Sequence, residues 1–162
     1  LNLSEFQSQI VTLTFDRGAV EALGVWSGTE GISLRHLAVD GRGRLLIGGQ
    51  VADRSRGAPD RVLWQCADGR AVRLDVGDAL KGYVSSVSCH GDEALVTSKD
   101  GNAVLRVVDG AVQGLTSLDG ASAAALGPHL KARSGYGALL LNEARIAASV
   151  GYEFDNHGLA LL

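Results

Sequence analysis

Short runs of apolar residues, several of them alternating with polar ones, recur along the chain, most of them bounded by turn signals. In the first run, Ile10, Thr12 and Thr14 fall on one face and Val11, Leu13 and Phe15 on the other, the period of two that marks a strand. The pattern predicts strands over Gln9–Phe15, Val20–Trp26, Leu34–Val39, Leu45–Gln50, Val62–Cys66, Ala71–Val76, Tyr83–Cys89, Ala94–Ser98, Ala103–Val108 and Val112–Leu118. Later runs are apolar on both faces, as expected of strands buried between two layers. Asp16-Arg17-Gly18, Asp40-Gly41, Asp68-Gly69, Asp100-Gly101, Asp109-Gly110 and Asp119-Gly120 punctuate the runs. Asp-Gly supplies the positive φ that tight hairpins require, so each is a hairpin or strand-end candidate.

The predicted strands group into modules. Leu34–Val76 holds four and Tyr83–Leu118 four more, with starts 49 residues apart. A four-stranded unit repeating every ~40–45 residues is the signature of a propeller blade. An antiparallel sandwich has similar strand spacing and stands as the alternative. In the last quarter, Ala121–Leu126 and Ala144–Val150 are Ala-rich and helical by propensity. The preferred expectation there is a third module, with Tyr136–Leu141 and Arg145–Val150 as a hairpin across Asn142–Ala144. The expected fold is all-β, a β-propeller portion with four-stranded blades forming one domain over 1–162. It has a blade remnant at 1–30 and blades at about 31–78, 79–118 and 119–162. Three to four blades are roughly half a ring. The open edges of such a piece call for a missing N-terminal half or self-association to complete the ring.

Composition sharpens this picture in three ways. Glycine, at 22 of 162 residues, is about twice its ~7% average, with only 2 prolines, which fits many tight turns. Lys plus Arg total 15 against 18 Asp plus Glu, a net charge of −3 that argues against a dedicated nucleic-acid binder. No apolar run reaches the ~18–20 residues of a membrane helix. Hydrophobic residues at 46% and charged ones at 20% support a packed core. The absence of methionine and of a signal-type start makes a processed product or a piece of a longer chain the expectation.

Several short stretches carry a family resemblance. They are Leu1-Asn2-Leu3, Ile32-Ser33-Leu34-Arg35-His36-Leu37-Ala38-Val39-Asp40, Leu46-Ile47-Gly48-Gly49-Gln50, Gly82-Tyr83-Val84-Ser85-Ser86-Val87 and Phe154-Asp155-Asn156-His157. Their order and spacing resemble the C-terminal half of a bacterial family catalogued as domain of unknown function number fifteen-thirteen. The resemblance covers nearly the whole chain. It implies a seven-bladed, WD40-like propeller exported to the periplasm, often by a twin-arginine signal. It also implies gene neighbours of the iron-regulated imelysin type and dihaem oxidoreductases; no activity is established for the family. Where the family follows Gly-Gln with an aromatic residue and Glu, this chain has Val51, Ala52 and Asp53.

In a propeller, Arg35 and His36 are expected to open an innermost strand and rim the central channel. The imidazole of His36 is a candidate transition-metal ligand there. One histidine is not a zinc or copper site, which takes three or four ligands. The structural alternative pairs Arg35 with a carboxylate such as Asp40 and bonds His36 to a neighbouring blade. His157 is a candidate from the matching family ending, and Gln50 and Tyr83 are candidate contacts from their motifs. His90 and His129 read as exposed turn residues. Cys66 and Cys89 are expected as buried free thiols; a disulfide would have to join an outer strand of one blade to the inner strand of the next.

Catalytic signatures are missing: Gly31-Ile32-Ser33-Leu34-Arg35 ends in the wrong residue for a nucleophile elbow, and Gly41-Arg42-Gly43 lacks the third glycine of a dinucleotide loop. The dispersed carboxylates Asp53, Asp60, Asp75 and Asp78 read as solvated surface. The resulting expectation is a non-catalytic periplasmic binding or scaffold protein linked to iron acquisition, taking a protein partner or small ligand at the propeller face or channel. The alternative is a propeller-type enzyme, a lactonase-like hydrolase or redox protein, using a channel-bound metal.

Overall fold

In the computed structural model, residues 7–28, 30–53, 55, 58–136, 138–142 and 144–147 are described, and they form only strands, turns and connecting segments. β1 (Gln9–Asp16) and β2 (Ala19–Ser27) make a hairpin. Three four-stranded antiparallel sheets follow, each in strict chain order. The first comprises β3 (Ile32–Val39), β4 (Leu45–Val51), β5 (Leu63–Ala67) and β6 (Arg70–Arg73). The second comprises β7 (Ser86–His90), β8 (Glu93–Ser98), β9 (Ala103–Val108) and β10 (Ala111–Ser117). The third comprises β11 (Ala123–Gly127), β12 (Leu130–Gly135), β13 (Ala138–Leu141) and β14 (Ala144–Ala147).

Local chemistry explains the turns. Arg17 and Gly18, Asp68 and Gly69, and Asp109 and Gly110 all adopt positive φ in two-residue turns, the geometry that suits the twist of a hairpin. Asp40 works differently. Its carboxylate accepts the backbone N–H groups of Arg42 and Arg44, each at 2.9 Å, closing a longer loop.

Three predicted elements shift for physical reasons. β6 stops at Arg73 because Leu74 and Val76 turn inward and are buried in the connection that follows. β7 starts at Ser86, not Tyr83, because the preceding residues pair with the first sheet: Val84 N–H donates to the Gly49 carbonyl at 2.9 Å. The Ala-rich run at Ala123–Gly127 is a strand, buried throughout, so packing overrides helix propensity. β12 is an element the apolar pattern does not announce, since Lys131, Arg133 and Ser134 interrupt it. The hairpin of the last module is β13–β14; Ala148–Val150 lie outside the described residues.

The central strands of the middle sheet, β8 and β9, pack on both faces. Ala94, Val96, Leu105 and Val107 join Ile32, Ile47, Leu63, Leu80 and Val84 in one core. Leu95 and Val104 point the opposite way, into a second core with Leu118, Ala121, Ala124, Leu126 and Ala138. This is the period-two alternation of a strand used to fill two different cores. The first strands of successive sheets lie side by side, β3 beside β7 and β7 beside β11. Serine side chains help to join them: Ser86 Oγ accepts Ala124 N–H at 3.3 Å and Ser88 Oγ accepts Leu126 N–H at 2.9 Å.

Alternating strand direction sorts the connections onto two faces. The β3–β4, β5–β6, β7–β8 and β9–β10 hairpins share one face. The β4–β5 and β8–β9 connections share the other with the segments that pass from sheet to sheet.

Candidate functional site

The sheet-to-sheet face holds a cleft of about 490 Å³ lined by Gln50, Val51, Pro59, Asp78, Lys81, Gly82 and Asp100. Its floor is the connection from β6 to β7. Successive turns fold this segment: Ala79 N–H donates to Val76, Lys81 to Asp78 and Tyr83 to Leu80, at 3.2, 3.2 and 2.9 Å. Lys81 and Gly82 take φ of 45° and 78°, a tight reversal at which Lys81 is exposed to solvent. Leu80 is fully buried, and its carbonyl accepts the Ser98 hydroxyl at 2.8 Å. That same Ser98 oxygen accepts Gly101 N–H at 2.9 Å, tying the Asp100-Gly101 turn to the floor. A Cβ on Gly82 would stand 2.8 Å from Val51 Cγ2, so only glycine fits where floor and wall meet.

Gln50 and Tyr83 come together. They form an isolated antiparallel bridge, flanked by Val51 N–H donating to Gly82 at 2.8 Å and Val84 N–H to Gly49 at 2.9 Å. Arg35 and His36 lie elsewhere. They sit mid-strand on β3, which begins at Ile32, so the expectation that they open the strand is corrected. The β3–β4 register shifts between Leu34 and His36, which makes Arg35 the bulged residue, exposed to solvent. His36 stands opposite Gly48, half-buried and engaged in an interaction. His157 lies outside the described residues. Among the described residues no three His, Cys, Asp or Glu side chains gather as a metal-ligand group.

Asp40 is not a partner of Arg35. Its carboxylate receives Arg44 Nε at 2.7 Å, while Arg44 Nη1 reaches Asp109 of the neighbouring sheet at 2.8 Å. Arg42 bridges to Asp92 and Asp109, both at 2.9 Å. Burial pushes the Asp40 carboxyl up, but the Arg44 N–H and guanidinium and the Arg42 N–H outweigh it, and its pKa falls below the usual range. The same balance of burial against Lys131 and Arg106 lowers Glu93. These ion pairs occupy the hairpin face, opposite the cleft.

Cys66 and Cys89 are free and half-buried. Burial, then the Asp40 charge, pushes the Cys89 thiol up to about 11. His90, the last residue of β7, and His129, in the β11–β12 turn, are both exposed. Asp60 pairs with Arg73 at 2.9 Å, and Asp53 holds the Ser55 N–H and hydroxyl. Asp78, read from the sequence as plain surface, lines the cleft together with Lys81 and Asp100. Sequence spacing could not gather these three, because the cleft joins three connections from two sheets. No helix among the described residues is long and apolar enough to cross a membrane.

A family model described as "Protein of unknown function (DUF1513)" matches residues 1–161. The comparison with curated proteins gave no match. Among solved structures, the chain is similar to a catalytically inactive virginiamycin B lyase from Staphylococcus aureus, crystallised with quinupristin, at 9% identity and a TM-score of 0.59. The likeness covers 91% of this chain and 47% of that one, so the chain spans about half the length of that relative. At this identity the likeness speaks for the fold, and the four-stranded sheets are the blades of a β-propeller.

Proposed function

We propose that this chain, which belongs to the DUF1513 family, supplies the binding face of a β-propeller whose ligand sits in the cleft beside Gln50 and Lys81. The observation that carries this reading is the cleft's construction. A volume of about 490 Å³ stands over a floor tied down by Leu80, Ser98 and Gly82. Small-molecule sites are concave, largely preformed and in this size range. A rigid floor also reduces the ordering cost of binding. The proposal includes a periplasmic location and a link to iron acquisition, both drawn from the family resemblance; cell fractionation and transcript levels under iron limitation test them. A fragment library screened by amide-resolved NMR tests the cleft itself. Hits should shift Gln50, Val51, Lys81 and Gly82 and weaken in a Lys81→Ala variant. Hits that map instead to the β3 bulge at Arg35 and His36 would return the site to the channel, where a protein partner or transition metal was expected.

The second reading is an enzyme of propeller fold. It is favoured by the fold likeness to a lyase. Turnover of a cleft ligand, rather than its recovery unchanged after incubation, separates the two readings.

A further inference from the structure

We propose that the cleft takes a small zwitterionic amine, an amino acid or short peptide, with its ammonium group held by Asp78 and Asp100 and its carboxylate by Lys81. This rests on the reading of the cleft as the binding site. Among the described residues, none of these three side chains has a hydrogen bond or ion pair, whereas the carboxylates Asp40, Asp60 and Asp92 all do. Both signs of charge therefore line one concavity without neutralising each other. Two carboxylates against one ammonium give the cleft a net negative charge at neutral pH, which attracts cationic groups and repels simple anions. Gln50 lies at the half-buried end of β4, and its carboxamide offers one acceptor and two donors to either end of such a ligand. Recognition by charge-assisted bonds from both signs at once selects zwitterions over molecules carrying either charge alone.

The test is an NMR titration of the isotope-labelled chain with glycylglycine, its N-acetyl form and its C-terminal amide. Glycylglycine should shift the Gln50, Val51, Lys81 and Gly82 amides saturably. N-acetylation, which removes the ammonium, should weaken binding about tenfold, the equivalent of ~1.4 kcal/mol. Amidation should weaken it in the same direction, and more weakly in Lys81→Gln, where the carboxylate's partner is already gone. Asp100→Asn should weaken the parent peptide, while Asp68→Asn, on the opposite face, should leave it unchanged. Equal binding of the parent and its N-acetyl form overturns the proposal. No saturable shift with any of the three peptides overturns it as well. Sucrose, a neutral disaccharide, distinguishes the failures: sucrose shifting the same amides where the peptides do not keeps the cleft as a site and rejects the ligand class. Peptide shifts that map away from the cleft reject both.

Discussion

Gly48 of β4 packs against Val84, and a Cβ on Gly48 would clash with the Val84 Cγ1 methyl. Gly49 is closed off on its other side, where a Cβ would stand 2.8 Å from Ile32 Cγ2. The Gly48-Gly49 pair therefore lets the second strand of one blade lie against the entry to the next. Gly48→Ala should lower stability by about 1–3 kcal/mol through overpacking. Urea denaturation measures it, and a midpoint equal to that of the parent chain would mean that Val84 moves aside freely.

The hairpin face carries a pH dependence with a defined sign. Asp40 and Glu93 have lowered pKa values in the folded chain, so their contribution is complete above the ordinary carboxylate range near ~4. It is lost as pH falls through the lowered values. The melting temperature should therefore drop in this acid window, and Asp40→Asn should flatten the drop while costing about 1–3 kcal/mol at neutral pH. A parallel pH profile for parent and variant would remove Asp40 from the account.

Cys89 should resist alkylation at neutral pH. With its thiol at about 11, only a trace is thiolate near pH 8. Iodoacetamide labelling followed by peptide mass spectrometry should show slow modification that accelerates as pH rises toward that value, and full labelling after denaturation. Rapid labelling in the folded chain would contradict the burial assigned to it.

Thr97 is fully buried, and its hydroxyl has no hydrogen-bond partner. Thr97→Val keeps the branched shape and removes the stranded oxygen, so it should leave stability unchanged or raise it by about 1 kcal/mol. A clear loss on thermal denaturation would reveal a bond made by that hydroxyl.

Much of the fold was legible because a strand's requirements are local. Alternation and Asp-Gly turns placed β1 to β5 and β8 to β10 within a residue or two. β12 was not legible, because Lys131 reaches across to Glu93 at 2.8 Å and Arg133 is buried, so only tertiary packing makes a strand of this polar run. The site followed the same division. Gln50 and Tyr83 were visible as motif residues, and the structure joins them. Their companions Asp78, Lys81 and Asp100 looked like ordinary turn residues, and only the packing of two blades brings them to one cleft. The Ser85-Ser86 motif turned out to be structural: Ser85 Oγ accepts Lys99 N–H at 2.8 Å, and Ser86 Oγ serves β11.

The described bonds between blades link consecutive modules: Gly41 with Gly91, Arg44 with Asp109, Ser88 with Leu126 and Lys131 with Glu93. Nearest-neighbour coupling of this kind makes the chain a short linear array in its folding thermodynamics. Each seam is a separable step, and the middle of the three described four-stranded sheets is held by a blade on either side, so it should stay protected the longest. Hydrogen exchange should then be slowest at β8 and β9, the buried strands of that sheet.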